Sequence, residues 1–345
     1  MFRRKVIRLT LPITRPMGAQ TMRVLLRLLL LLDLSSQAAQ ATPVAKWPTV
    51  VVLKDVPEIT VIKEDEEARQ FIYQSPHYEF RSPARLGASV VREFARVFET
   101  TYLANAALPL DYTPAPEFGR EKFLCTLFLT KADYLKAGGV PGSAAVYAAS
   151  SSQILIPLES LGVKLFGKKY TLDHEADNAT LIHEITHQMM NAWLGRLPIW
   201  FVEGSAEYIR TASYERGKMS FVNRQKNLQA YLQTQGSDGR TWEMVPLQKL
   251  MTMDLRTWSA TMAESGKAAR RNYASAALLV YYFYHLDGRG DAHHTANFLK
   301  SLLPRDQNLQ AASRHLLRER AYAELQEDVA QALRKEGFKI TWATP

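Results

Sequence analysis

The stretch Leu181-Ile182-His183-Glu184-Ile185-Thr186-His187-Gln188-Met189-Met190-Asn191-Ala192-Trp193-Leu194-Gly195 decides how the rest of the chain is read. Leu181, Ile185, Met189 and Trp193 recur every four residues, the period of a helix with one apolar face. Asp177 or Asn178 can cap its start and Gly195 can close it, so a helix is expected over 178–194. Within it His183 and His187 stand at i and i+4, and both imidazoles leave one face a turn apart. That spacing lets two ring nitrogens reach one tetrahedral Zn²⁺. Glu184, between them, is offset toward the open coordination position, where a carboxylate can take a proton from water that the metal acidifies. With 8 histidines in 345 residues, chance produces such a pattern on the order of one time in a hundred. Its helical setting adds weight, because packing alone poorly explains two histidines on one helix.

A third ligand is expected from a helix folded back by the turn from Gly195 to Pro198. Pro198 opens that helix, which begins Ile199-Trp200-Phe201-Val202-Glu203-Gly204-Ser205-Ala206-Glu207-Tyr208. Here the sequence resembles the gluzincin peptidases, whose His-Glu-x-x-His helix is followed by one bearing a glutamate ligand in a W-x-x-E-G-x-A-like segment. Trp200, Glu203, Gly204 and Ala206 match that segment. The resemblance implies His183, His187 and Glu203 as zinc ligands and Glu184 as the general base. The connection to Glu203 is shorter than in the aminopeptidase-type and thermolysin-type members, whereas Glu207 would restore the thermolysin-like spacing. The E-G context favours Glu203. Glu207 then falls where thermolysin-like enzymes carry an acid that hydrogen-bonds a zinc histidine and holds its tautomer; the alternatives are that Glu207 is itself the ligand, or a solvated helix acid.

Family members often supply a tyrosine or histidine from a later helix to stabilise the oxyanion, a role that preorganised donors perform. Tyr273, in Arg271-Asn272-Tyr273-Ala274-Ser275-Ala276-Ala277-Leu278-Leu279-Val280-Tyr281-Tyr282, is read at the polar start of an otherwise apolar helix and resembles the Y-A-x-x-x-x-L-V segment of peptidase-MA-like domains. Packing is the equally weighted reading of that tyrosine, and Tyr281, Tyr282 and Tyr284 are read as core. His77, His174, His285 and the pair His293-His294 are read as surface or satisfied positions.

The resemblance is to the peptidase-MA-like superfamily, and within it to exported bacterial members; it is motif-level over 181–208 and looser over 77–340. It implies an α+β, zincin-like fold: a small N-terminal mixed sheet with helices packed on the His-Glu-x-x-His helix, then a mainly helical C-terminal subdomain, divided as 42–177 and 178–345. The aminopeptidase G-x-M-E-N segment is absent, which argues against anchoring a substrate amino terminus that way.

Working outward, Val50-Val51-Val52-Leu53 and Ile59-Thr60-Val61-Ile62 read as short strands about a Pro57 turn. Ser82-Pro83 reads as the start of a helix over about 84–104, with Leu86, Val90, Phe94, Val97, Phe98 and Tyr102 on its buried face. Phe123 to Leu129 reads as a central strand, and Ala144–Tyr147 with Ile154–Ile156 as a hairpin that could offer an edge strand to an extended peptide. Helical periodicity returns near 222–235, 272–286, 291–303 and 317–336.

Residues 1–41 hold seven basic side chains (Arg3, Arg4, Lys5, Arg8, Arg15, Arg23, Arg27) against Asp33, a net of +6 (7 − 1), so +3 of the total +9 remains for everything after. No basic stripe interleaved with aromatics follows, so nucleic acid is not an expected partner. Basic residues, a leucine run from Leu28 to Leu34 and Ala39-Gln40-Ala41 read as a secretory signal peptide cut before Thr42, with Met22 as an alternative start of translation. A secreted or periplasmic protein without stable membrane insertion is expected, since no later apolar run is long enough to span a bilayer. The single Cys125 excludes an internal disulfide, and its apolar surroundings read as core.

The leading expectation is therefore a zinc metallopeptidase acting on a peptide or protein substrate. Two alternatives stay open: an inactive zincin-fold binding or scaffold module, and a zinc amidase acting on cell-wall material. Glu184 argues against the first, because a structural zinc site needs no base and usually has four protein ligands.

Overall fold

Aromatic residues fall at every second position of two strands, β3 (Gln70–Gln74) and β4 (Tyr78–Ser82), so that Phe71, Tyr73, Tyr78 and Phe80 all turn to one buried face. Beside them run β5 (Phe123–Phe128), contributing Phe123, Cys125 and Leu127, and β7 (Gln153–Pro157), contributing Ile154 and Ile156. With β2 (Thr60–Asp65) and β6 (Val146–Ala148) at the margins they form a six-stranded mixed sheet in the order β2-β3-β4-β5-β7-β6. β4, β5 and β7 are parallel; β6 returns antiparallel along β7, with Tyr147 opposite Ile154. The computed structural model describes residues 46–110, 114–173, 177–303 and 308–344. The expected leader, its cleavage point and His174 lie outside the described residues.

Helix α1 (Ala88–Ala106) lays Phe94 and Phe98 on the buried sheet face, where both meet Phe80 edge-on with ring centroids 5.1 Å away. That geometry suits the aromatic quadrupole. Cys125 is fully buried in this layer, and burial pushes its thiol far up, so it is a packing residue. Helix α2 (Lys131–Lys136) is short and capped by Thr130, whose hydroxyl accepts from the Asp133 N–H. Between β7 and the site helix the chain forms a small hairpin of β8 (Val163–Phe166) and β9 (Lys169–Leu172).

The second half is mainly helical, and the fold class is α+β. Helix α3 (Ala179–Met189) carries the two histidines, and α4 (Ile199–Arg210) follows. A hairpin of β10 (Ser213–Glu215) and β11 (Lys218–Ser220) leads to α5 (Arg224–Thr234), β12 (Thr241–Met244), α6 (Leu247–Thr252) and α7 (Leu255–Glu264). The long, largely buried α8 (Gly266–His285) is the spine of this half. Helices α9 (His293–Ser301), α10 (Leu309–Leu317) and α11 (Tyr322–Lys335) and strand β13 (Lys339–Trp342), parallel to β12, complete it. From Ala45 onward the chain is one compact unit.

Both strands expected about Pro57 form, β1 (Val50–Val52) joining β11 and β2 joining β3. Other expectations need correction. Ser82-Pro83 starts no helix: Ser82 ends β4 opposite Phe71, and its hydroxyl closes a turn with Ala84, deferring α1 to Ala88. Helix α3 stops well before Gly195, since buried Trp193 draws the chain into a 3-10 turn over Asn191–Trp193, and the Asn191 side chain donates to Ala115 O at 3.1 Å. Tyr273 lies two turns inside α8 rather than at its start, because Ser265 caps the helix by accepting from the Ala268 N–H.

Candidate metal centre

Helix α3 is pinned so that its polar face cannot rotate away from α4. Leu181, Ile182, Ile185 and Met189 are buried, and the fully buried Gln188 donates to Leu124 O on β5 at 3.0 Å. Gly204 sets how closely α4 approaches the spine. A Cβ there would stand 2.5 Å from Ala276 O and 2.8 Å from Val280 Cγ2 of α8, closer than real contacts allow. Ser205 shares a 2.9 Å hydrogen bond with the Tyr284 hydroxyl, and Tyr208 shares one of 2.5 Å with His285 Nε2. Gly204→Ala is expected to push α4 off α8 and to lower stability by about 1–3 kcal/mol, the usual cost of overpacking. Denaturant unfolding reads this directly; an unchanged midpoint would mean that α4 can slide without loss.

These constraints bring His183 Nε2, His187 Nε2 and Glu203 Oε2 together. The two nitrogens are 2.9 Å apart, and the carboxylate oxygen stands 3.4 Å from one and 3.5 Å from the other. The three atoms could hold one metal ion. Their separations bracket the roughly 3.4 Å edge of a tetrahedron with bonds of about 2.1 Å. Glu203 Oε2 is buried and has no hydrogen-bond partner among the described residues, an arrangement that costs free energy unless a cation satisfies it. Burial alone would raise the Glu203 carboxyl, but His187 and His183 outweigh it and hold it well below its ordinary value. For His183, burial pulls the imidazolium down, while Glu203 and Glu207 push harder the other way and lift it to about 10.

Glu207, one turn beyond Glu203, meets the opposite nitrogen of His183: its Oε1 lies 3.0 Å from Nδ1 and 3.3 Å from the Arg210 guanidinium. Burial works to raise its carboxyl, but His183 and Arg210 prevail and hold it low. The buried Tyr231 of α5 stands beside this carboxylate, pushed well up by burial and by the Glu207 charge, so it keeps its proton. Tyr231 and Arg210 were not singled out from the sequence. Arg210 has a weak signal there, at i+3 from Glu207 on the same helix face; Tyr231 has none.

Glu184 is tied to the sheet. Its Oε2 accepts the backbone N–H of Tyr147 on edge strand β6 at 2.8 Å, a backbone contact invisible in sequence. Tyr273 faces the same region, with its ring centroid 6.5 Å from that of His183 and 5.3 Å from that of the buried Trp258. Burial, then the Glu203 and Glu207 carboxylates, push its hydroxyl far up, and it stays protonated at neutral pH. Tyr281, Tyr282 and Tyr284 are core. His285 is half-buried against Trp47 and Tyr208, and desolvation pulls its imidazole well down. His77 is held by the buried Glu99, whose Oε2 is 2.6 Å from its Nδ1, and stacks on Tyr102; no described side chain links it to the centre.

Two histidines and a carboxylate on adjoining helices could hold a metal ion, and beside them stand the Glu184 carboxylate, tied from α3 to the edge strand, and the protonated phenol of Tyr273. Compared with known proteins, the chain matches no family model and no curated sequence.

Proposed function

We propose that the protein is a zinc-dependent peptidase of gluzincin type with a zincin-like fold, in which His183, His187 and Glu203 hold the ion. The observation that carries this reading is the meeting of three ligand atoms with the Glu184 carboxylate held alongside by Tyr147. The donor set fits zinc: two imidazole nitrogens and one carboxylate oxygen leave a fourth position free, as catalytic rather than structural sites do. Bound there, the ion supplies Lewis acidity and lowers the pKa of water.

The chain's own groups then divide the work. Glu184 receives the proton of the attacking water. The Tyr147 N–H fixes its Oε2, which keeps the carboxylate oriented for that transfer and for returning the proton to the leaving amine. Tyr273, keeping its proton, is placed to donate a hydrogen bond to the oxyanion that develops at the scissile carbonyl. Glu207, whose Oε1 lies 3.0 Å from His183 Nδ1, pairs with that nitrogen and so fixes which one faces the ion. Strand β6 is the outer strand of its sheet, so an extended peptide can lie along that edge beside Glu184, which already takes the Tyr147 N–H. A scaffold role leaves Glu184 and its tether unexplained.

Purified protein is expected to carry about one zinc per chain and to cleave mixed peptides, with both properties lost on chelation. Metal content by mass spectrometry and a peptide-degradation assay check this together. One zinc per chain with no turnover of any peptide would overturn the peptidase reading while sparing the metal site.

A further inference from the structure

The connection from β7 to α3 is longer than a link requires, and its middle is built rather than loose. Phe166 pairs with Lys169, leaving Gly167-Lys168 as a two-residue turn with Gly167 at φ 61°. A glycine in the first turn position matches the twist of the flanking strands. The base of the hairpin is anchored: Val163 is buried, Tyr170 and Leu172 pack on the core, and the Asp173 N–H donates to Gly162 O at 2.8 Å. The tip has the opposite character. Phe166 is 80% exposed and Leu165 60% exposed, and Lys164, Lys168 and Lys169 surround them in solvent. Residues 160–172 contain these three lysines and no aspartate or glutamate. Lys164 reaches Asp173 at 3.0 Å at the hairpin base.

We propose that this hairpin docks the protein on an anionic phospholipid surface, with Leu165 and Phe166 entering the boundary between headgroups and acyl chains and the lysines engaging the headgroup phosphates. Two apolar side chains at a rigid tip fall far short of the roughly 800 Å² per partner of a specific protein interface. A bilayer asks for less: a small apolar wedge, cationic neighbours and no matched shape. Lysine suits that boundary because its alkyl stem can lie along apolar surface while its ammonium stays in water. The attraction acts within about 10 Å at 0.1 M salt, so the tip's own charge counts rather than that of the whole protein. No described helix is long and apolar enough to cross a membrane, so contact is peripheral. The inference does not depend on the metal centre.

Co-sedimentation of the full chain with vesicles tests it, comparing phosphatidylglycerol-containing with pure phosphatidylcholine vesicles. Binding to the anionic vesicles is expected, weakening as salt rises. Leu165→Ser with Phe166→Ser should weaken it by at least about tenfold. Each of Lys168→Gln and Lys169→Gln should cost about fivefold. All of these side chains are exposed, so thermal midpoints should stay unchanged, which separates lost docking from lost folding. No binding to anionic vesicles at low salt would overturn the proposal, as would binding that ignores the serine pair. Competition by soluble glycerol phosphate would reassign the lysines to a free phosphate ligand. Concentration-dependent dimers abolished by Phe166→Ser, without vesicle binding, would assign the tip to a second copy instead.

Discussion

Glu184→Gln is expected to retain zinc and to lose peptide hydrolysis by about 10²- to 10⁴-fold, the range for removal of a general base. The substitution isolates proton transfer. The glutamine carbonyl oxygen can still accept the Tyr147 N–H that Glu184 Oε2 accepts at 2.8 Å, so the tether to β6 survives. His183, His187 and Glu203 are untouched, and the metal should stay. What disappears is basicity, because a neutral amide cannot take a proton from water. Metal content and turnover measured on one preparation check both halves. Near-normal turnover, with wild-type contamination excluded, would remove Glu184 from the chemistry.

The second large effect separates two carboxylates one helical turn apart. Glu203 Oε2 lies 3.4 and 3.5 Å from the Nε2 atoms of His183 and His187, whereas Glu207 Oε1 lies 3.0 Å from the far nitrogen of His183. Glu203→Ala therefore removes a ligand and should abolish tight zinc binding, since two imidazoles alone do not hold an open tetrahedral site. Glu207→Ala loosens one imidazole and should cost about 10- to 100-fold in zinc affinity. Competition titrations with a chromophoric chelator, on variants whose folding is verified by circular dichroism, give the ranking. If Glu207→Ala proved the more damaging, the ligand would have to be Glu207, and α4 would have to sit about one turn along its axis from its position here.

That shift along the axis is invisible in the local sequence. At 3.6 residues per turn, positions 203 and 207 face nearly the same way, and the pattern of α4 alone leaves both as candidates. The missing side chain of Gly204 lets α4 press against Ala276 of α8, which fixes where the helix holds both acids. Nothing local to α4 announces that Ala276 is its neighbour.

Other misses have different causes. The alternation Gln70-Phe71-Ile72-Tyr73-Gln74 and Tyr78-Glu79-Phe80-Arg81-Ser82 is a strand signal legible in the sequence, and it runs straight into Ser82, so the helix-start pattern Ser82-Pro83 there is overridden by the sheet. The partner of β1 could not be read, since β11 lies far along the chain and strand pairing has no local code. Tyr147 meets Glu184 through a backbone N–H, which every residue except proline carries.

The sequence by itself determined what a single helix decides: His183 and His187 on one face with Glu184 beside them, a second helix opening at Pro198 with acids at 203 and 207, and Cys125 in an apolar strand. Those features depend on spacing within a few residues, and the α-helical and β periods carry them without help from the rest of the chain. The E-G context already favoured Glu203 over Glu207 as the ligand, whereas tertiary structure alone decided what holds Glu184, that Tyr231 and Arg210 stand behind Glu207, and that the Tyr273 ring stands beside that of His183. Each of these is a meeting of elements distant in sequence, and the close packing of α3, α4 and α8 selects it.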